Sequence, residues 1–241
     1  MAIAEDIEVQ SLGLLRGIKS HIVLIGGWGV RAWTQDIAAR NTMDVDAFGS
    51  EEDLTFVASV MAEQGLSAEA DEDWGVRFYK DYVPTSIEAV KEADEIKDLP
   101  GEIELRVEVS GPRITEKRSP HYFEFDPAKA VVKGISSRRK TADDECRVAD
   151  IDELAANKIG LPADYKNMFD LALLLQQTRV EPIVEIIKSV DDWQEMVIRR
   201  IPKVIGRVQR GDNTANVLMR AFGLDVGDFV KQVLRIRSSI T

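Results

Sequence analysis

The sequence has little of several features that particular protein classes require. Its 241 residues include one cysteine, Cys146, and two histidines, so an internal disulfide is excluded and a Cys/His zinc cluster is not expected. The longest apolar runs, near 22–25 and 171–175, are too short to span a bilayer, and MAIAEDIEVQ at the start lacks the basic and apolar regions of a signal peptide. We therefore expect a cytoplasmic protein with no membrane partner.

Acidic residues outnumber basic ones, with 42 Asp or Glu against 31 Lys or Arg. The net charge of −11 argues against a broadly basic surface for nucleic acid. The balance reverses near the end, where residues 197–241 hold nine Lys or Arg against three Asp. This tail has two interpretations, either solvated helix faces or a patch for RNA or another acidic partner.

The most informative residues lie between His21 and Phe48. An apolar stretch predicts a strand, Gly26-Gly27 open a predicted helix, and Asp44 and Asp46 stand one residue apart in a second apolar stretch. Residues i and i+2 of a strand point to the same side, so these carboxylates repel each other and suit a divalent cation such as Mg²⁺ or Mn²⁺. Because a helix start suits a phosphate, the combination predicts phosphoryl or nucleotidyl transfer.

This segment resembles the core motif of the polymerase-beta-type nucleotidyltransferases, which is a Gly-Gly or Gly-Ser pair, a helix and then Asp-hydrophobic-Asp. GGWGVRAW resembles minimal nucleotidyltransferases that include antibiotic-adenylylating enzymes, and Arg40-x-Thr42-x-Asp44-Val45-Asp46 resembles the AbiEii/AbiGii toxins of bacterial abortive-infection systems. The resemblance implies an α/β (α+β) nucleotidyltransferase fold, with a small mixed sheet flanked by helices and then a helical domain. It also implies a nucleoside triphosphate substrate and Mg²⁺ or Mn²⁺ as cofactor.

Two residues between the glycines and the aspartates are further candidates for nucleotide binding. Arg40 either binds the triphosphate or pairs structurally with an aspartate. Thr42 is placed to orient Asp44 through a hydroxyl hydrogen bond. Together with Gly26 and Gly27, they form the predicted nucleotide-binding set.

A third metal carboxylate is expected on a later strand. Residues 103–109 alternate between apolar and polar side chains, which predicts a strand with one polar face. In a polymerase-beta-type fold such a strand lies beside the Asp-x-Asp strand and supplies the third carboxylate. Glu108 is the first choice and Glu104 the second, although typical family members often carry Asp there. The alternative is a polar face that is only exposed to solvent.

A second informative segment covers residues 151–177. It predicts a helix over 151–159, a break at Pro162 and a helix over 164–177, with Asp170 inside an apolar stretch where it needs a partner such as Lys158. The segment resembles an AbiEii-type feature in which Asp-Glu-Leu and a Lys-hydrophobic pair precede a helix containing Asp-Leu. The resemblance implies that Lys158 contacts nucleotide phosphates and that Asp170 is catalytic or orienting. A purely structural ion pair is the alternative, and the turn lacks the Arg usual in that family.

We predict a nucleotidyltransferase domain over 1–145 and a helical domain over 146–241 that closes the active site. Residues 111–146 are expected to be loop-rich, with strands at 122–125 and 130–135. Helices are predicted near 181–200, 202–210, 213–222 and 225–238.

The functional hypothesis is a metal-dependent nucleotidyltransferase that acts, like the toxins, on tRNA or another macromolecule, with an antitoxin protein as a candidate partner. The alternatives are a small-molecule nucleotidyltransferase of the antibiotic type and a non-catalytic module that binds a nucleotide or a partner.

Overall fold

The computed structural model describes residues 2–35, 40–71, 75–95, 103–115, 121–137, 140–210 and 214–241. The chain divides into two compact units. The first contains most of the chain up to Val148, and the second contains Ala149–Thr241, Arg113–Phe125 and a short segment beginning at Trp33. In chain order, the elements are α1 (Ala2–Ile18), β1 (Val23–Leu24), α2 (Gly26–Thr34), β2 (Asp44–Phe48), α3 (Glu51–Glu63), β3 (Ser67–Asp71), β4 (Gly75–Asp81), α4 (Ile87–Glu95), β5 (Glu104–Ser110), β6 (Arg113–Thr115), β7 (Tyr122–Glu124), a 3-10 turn (Pro127–Lys129), β8 (Val131–Ser137), β9 (Lys140–Val148), α5 (Ile151–Gly160), α6 (Tyr165–Leu175), α7 (Val180–Lys188), α8 (Asp191–Gln209), α9 (Thr214–Ala221) and α10 (Val226–Ile240).

The first unit is built on a seven-stranded mixed sheet in the order β3-β4-β5-β2-β1-β9-β8. The pairs β2–β5 and β1–β9 are parallel, and the other neighbouring strands are antiparallel. Alternating side chains of the central strands form a buried face, because Val45, Ala47, Val107 and Val109 are at most 2% exposed. α1 packs against β2, β5 and β8. The predicted fold class, a mixed α/β sheet with C-terminal helices, is confirmed.

Helix α3 shows how local sequence sets an element's ends. Ser50 caps it by accepting from the Asp53 amide, and Asp53 accepts in return from the Ser50 amide, which forms a capping box. Gly65 follows the helix with φ +77°, a left-handed conformation that glycine adopts without a side-chain penalty. The helix that Gly26-Gly27 were predicted to open is α2, which begins at Gly26 and is described to Thr34; residues 36–39 lie outside the described residues.

The second unit contains the β6–β7 hairpin and the helices from α5 onward. Its core includes Phe123, Phe169, Trp193 and Phe229, each at most 1% exposed. Trp193 donates from Nε1 to the Ala156 carbonyl at 2.8 Å. A Cβ on Gly160 would lie 2.4 Å from the Trp193 ring, so glycine is required for α8 to approach α5 this closely. No helix in the described part of the chain is both long and apolar enough to cross a membrane.

Two predictions about elements are wrong. The strands predicted at 122–125 and 130–135 are present as β7 and β8, but the described part of 111–146 is not loop-rich, because it also contains β6 and β9, and β9 joins β1 in the main sheet. The helices predicted at 181–200 and 202–210 are instead α7 and α8, with the break at 189–190 and Pro202 inside α8. A proline removes one helical hydrogen bond. A buried apolar stripe along α8 compensates for that loss and keeps the helix continuous through Pro202; it consists of Trp193, Val197, Ile201, Val204 and Val208.

Candidate functional site

The two motif aspartates lie on the strand at the centre of the sheet, beside the strand that carries Glu108. Parallel register pairs Asp46 with Glu108 and Asp44 with Arg106. Alternation along β2 places both aspartates on the partly exposed face, opposite buried Val45. The structure thus brings Asp44, Asp46 and Glu108 to one face of two neighbouring strands. Their role as metal ligands stays a prediction.

Two arginines on the same sheet neutralise the glutamates. Arg77 on β4 is the register partner of Glu108, and its Nε donates to Glu108 Oε1 at 2.9 Å. Arg106 donates to the second candidate, Glu104, at 2.8 Å. The hydrogen bond to Glu108 raises the pKa of Arg77 above its usual value. By contrast, the Asp44 carboxylate has no hydrogen-bond or ion-pair partner among the described residues.

Gly26, where α2 begins, lies directly against Asp46. Gly26 has φ +57°, and a Cβ placed there would lie 1.9 Å from Asp46 Oδ2. The Ile25 amide donates to the Asp46 carbonyl at 2.9 Å, which fixes the approach to the helix beside β2. The first N–H groups of a helix have no acceptor within the helix. This arrangement places such donors next to a carboxylate of the Asp-x-Asp pair.

Gly27 lies against the other two predicted nucleotide-binding residues. A Cβ on Gly27 would lie 2.8 Å from Thr42 Cγ2 and 3.0 Å from Arg40 Nη2. Thr42 is 3% exposed, and its Oγ1 has no hydrogen-bond partner among the described residues. A buried hydroxyl without a partner costs free energy unless a ligand or water satisfies it. The structure therefore brings Gly26, Gly27, Arg40, Thr42 and Asp46 together at the start of α2.

The oxygen donors of this cluster are of the kind that Mg²⁺ or Mn²⁺ prefers. Within the described residues, no group of three or more His, Cys, Asp and Glu side chains is arranged to hold a metal ion. Mg²⁺, however, is usually held by one or two carboxylates together with phosphate oxygens of the substrate. Asp44 and Asp46 fit this mode, and the glycine pair lets the start of α2 lie closer to Asp46 and Thr42 than a Cβ would allow.

Lys158 and Asp170 form an ion pair in the second unit. Lys158 Nζ lies 3.1 Å from Asp170 Oδ2 and donates to Asn167 Oδ1 at 3.2 Å. The side chains are 6% and 2% exposed. The predicted partnership between α5 and α6 is confirmed, whereas the phosphate-binding and catalytic roles of the two residues stay predictions.

The basic tail forms a stripe along α8. Arg199, Lys203 and Arg207 follow at four-residue intervals, Arg210 caps the helix, and all four are exposed. Residues four apart share a helix face, so the stripe spans about 16 Å at 1.5 Å per residue. Glu195 forms an ion pair with Arg199 at one end.

Three residues of the first unit escape prediction from the sequence: Arg77, Glu8 and Arg31. Arg77 is a polar position in the alternating strand 75–81, a pattern that shows the face but not the partner. Glu8 and Arg31 are buried and paired at 2.8 Å, although the sequence places them on separate helices with no shared motif. Cys146 is also buried, which raises the pKa of its thiol to about 11 and agrees with a structural residue.

No protein-family model matches the chain, and no curated protein matches it in sequence. Among solved structures, it is similar to a candidate nucleotidyltransferase from H. pylori at 14% identity and TM-score 0.49, covering 96% of this chain and 93% of that one. JHP933 from Helicobacter pylori is similar at 16% identity and TM-score 0.45, with 96% and 91% covered. The solution structure of antibiotic-resistance factor ANT(2'')-Ia is similar at 10% identity and TM-score 0.49, with 76% and 90% covered. At such identities no residue role transfers from these proteins.

Proposed function

We propose that the chain is a Mg²⁺- or Mn²⁺-dependent nucleotidyltransferase that transfers a nucleoside monophosphate from a nucleoside triphosphate to an acceptor. The observation that carries this proposal is the contact of Gly26 with Asp46, where α2 begins beside the strand bearing Asp44 and Asp46. It combines donors for phosphate oxygens with ligands for a divalent cation, the two parts that phosphate transfer from a nucleotide requires. The resemblance of the segment to polymerase-beta-type enzymes supports the same proposal.

Each residue of the cluster then has a role that follows from its chemistry. The N–H groups of Gly26 and Gly27, the Arg40 guanidinium and the Thr42 hydroxyl bind phosphate oxygens. Asp44 and Asp46 hold the cation, with Glu108 as the proposed third carboxylate. When bound, the cation stabilises negative charge on the transferring phosphoryl group.

The proposed reaction is an in-line attack of an acceptor hydroxyl on the α-phosphorus. The bond from the acceptor oxygen to the α-phosphorus forms as the bond to pyrophosphate breaks, and the hydroxyl proton passes to a carboxylate. Glu108 and Asp170 are the candidates for that proton acceptor, and Lys158 is proposed to neutralise phosphate charge. These roles compete with the ion pairs that Glu108 makes with Arg77 and that Asp170 makes with Lys158.

We favour tRNA or another RNA as the acceptor, in a toxin-like enzyme with an antitoxin protein as its partner. The stripe of Arg199, Lys203, Arg207 and Arg210 supports this choice, because exposed cations spaced along a helix suit a phosphate backbone. The alternative is a small-molecule acceptor of the antibiotic type. The net charge of −11 favours that alternative, since it repels a polyanion.

Titration of the protein with Mg²⁺-ATP tests the catalytic proposal. We expect wild type to bind and Asp46→Asn to bind at least about tenfold more weakly, since it loses one charged ligand. Glu63→Gln is the matched control, because this carboxylate is exposed on α3, is not part of the cluster and should leave affinity unchanged. If wild type binds no nucleotide in the presence of metal, the catalytic proposal fails and a partner-binding module remains.

A charge reversal on α8 tests the acceptor. We expect Lys203→Glu to weaken RNA binding and to lower its salt dependence, with a log–log slope smaller by roughly 0.7 for each single-strand phosphate that the protein no longer neutralises. Lys91→Glu changes the net charge equally on α4, another exposed helix, and serves as the control. Equal RNA binding by both variants would favour the small-molecule alternative.

A further inference from the structure

A buried ion pair is hydrogen-bonded to Arg40 and Thr42, the two residues whose side chains lie against Gly27. Glu8 on α1 and Arg31 on α2 are joined by a hydrogen bond of 2.8 Å between Arg31 Nη2 and Glu8 Oε1. Their side chains are 0% and 2% exposed. A buried charge pair contributes little net stability compared with apolar packing of similar volume, whereas removal of one partner alone is strongly destabilising.

The pair holds the backbone of the nucleotide-binding segment at two points. The Thr42 amide donates to Glu8 Oε1 at 2.8 Å, and Arg31 Nη2 donates to the Arg40 carbonyl at 2.7 Å. Arg31 Nη1 also donates to the Ser136 carbonyl at 3.4 Å, which ties the pair to β8. One carboxylate and one guanidinium therefore set the positions of both residues whose side chains lie against Gly27.

Several polar atoms of this cluster have no hydrogen-bond partner among the described residues. They are Glu8 Oε2, Trp28 Nε1, Arg31 Nε and Thr42 Oγ1. Glu8 Oε1 and Arg31 Nη2 thus form hydrogen bonds with the backbone of Thr42 and Arg40. The other side-chain atoms Glu8 Oε2 and Arg31 Nε have no such partner among the described residues.

We propose that Glu8 and Arg31 are positioning residues that hold the Arg40 guanidinium and the Thr42 hydroxyl in place for the phosphates of the nucleotide. The inference rests on the proposed function, because it assigns this pair to the same nucleotide site. Neither side chain touches the substrate in this account. Both act through the backbone of residues 40–42.

Asp6 provides a matched control on the same helix. Asp6 is 4% exposed and anchors α1 on the other side, accepting hydrogen bonds from Gln10, Tyr82, Thr85 and Ser86. None of these partners belongs to the Gly27 cluster. Asp6→Asn should therefore reduce stability without changing nucleotide affinity, whereas Glu8→Gln should change both.

The experiment measures the Kd for Mg²⁺-ATP of wild type, Glu8→Gln, Glu8→Ala and Asp6→Asn. We expect an increase of about tenfold for Glu8→Gln, a larger one for Glu8→Ala and none for Asp6→Asn. Equal Kd values for wild type and Glu8→Gln would overturn the positioning role while leaving the proposed function intact. Absence of binding by wild type would overturn both.

Hydrogen exchange supplies a readout without nucleotide. The Thr42 amide should exchange at least about tenfold faster in Glu8→Gln, because its acceptor loses its charge and the hydrogen bond weakens. The Val45 amide, within β2, should keep its wild-type rate. Unchanged exchange at Thr42 would show that Glu8 does not hold this segment, even in a variant that folds well.

Discussion

Replacing Gly26 with alanine perturbs the proposed site at its closest contact. Gly26 has φ +57°, which costs a residue with a Cβ about 1–2 kcal/mol. The new Cβ would also lie 1.9 Å from Asp46 Oδ2 and 2.6 Å from Asp46 Cγ, so the carboxylate or the start of α2 must move. Overpacking of this kind costs a further 1–3 kcal/mol or so. We expect Gly26→Ala to lower the free energy of unfolding by about 2–5 kcal/mol.

Two other glycines separate these contributions. Gly65 has φ +77° with nothing within 4 Å of the position that a Cβ would take, so Gly65→Ala should lose only the backbone cost of about 1–2 kcal/mol. Gly13, inside α1, also has nothing within 4 Å and an ordinary φ. Gly13→Ala should therefore stabilise the protein by about 0.5–1 kcal/mol.

Urea unfolding of the three variants measures stability, and titration with Mg²⁺-ATP measures function. We expect only Gly26→Ala to weaken nucleotide binding, because only its Cβ displaces a proposed metal ligand. If Gly26→Ala were no less stable than Gly65→Ala and kept the wild-type Kd, the close contact between Gly26 and Asp46 would be refuted as the basis of the site.

Three further predictions concern charged groups. Asp170→Ala should lower the free energy of unfolding by about 3–5 kcal/mol by leaving Lys158 buried and unpaired, and Lys158→Met/Asp170→Leu should recover most of it in urea unfolding. Burial alone would raise the pKa of Asp6, but its hydrogen bonds lower that pKa from 3.8 to about 2. Because the pKa of Asp6 is lower in the folded state than in the unfolded state, the ionised carboxylate adds to the free energy of unfolding above about pH 4, and this contribution is lost toward pH 2. In unfolding measured from pH 4 to pH 2, Asp6→Asn should not show this decrease. Arg77→Gln should tighten Mn²⁺ binding up to about fivefold by freeing Glu108, as measured by the paramagnetic resonance of free Mn²⁺; weaker binding would contradict a ligand role for Glu108.

The central part of the first unit could be predicted because local sequence and tertiary structure agree there. Alternation over residues 103–109 predicted β5, and the apolar stretch around Asp44 and Asp46 coincides with β2. β9 was not predicted, because its clear alternation of buried Cys146 and Val148 with exposed Glu145 and Arg147 covers only the last few residues. Pro202 led to the wrong prediction of a helix break, because proline usually ends a helix. In the structure the buried apolar stripe of α8 outweighs this local effect, and that packing is not visible in the local sequence.

For the candidate site, the motif indicated the residues but not their partners. Asp44 and Asp46 were evident from their spacing, and parallel register then places Glu108 opposite Asp46. Arg77 and the Glu8–Arg31 pair come from elements far away in sequence, so their contacts depend on topology rather than on any local pattern. Such partners can be identified only once the strand order and the packing of α1 are known.

Label transfer from a nucleoside triphosphate tests whether the chain is a nucleotidyltransferase that uses Asp44 and Asp46. The protein is incubated with Mg²⁺, total RNA and each triphosphate labelled at either the α- or the γ-phosphate, with Asp44→Asn/Asp46→Asn as control. We expect the α-label to enter the acceptor and the γ-label to leave with pyrophosphate, and we expect the control to show neither labelled acceptor nor labelled pyrophosphate. Transfer of the γ-label, or equal α-label transfer by the control, would contradict nucleotidyl transfer at these aspartates.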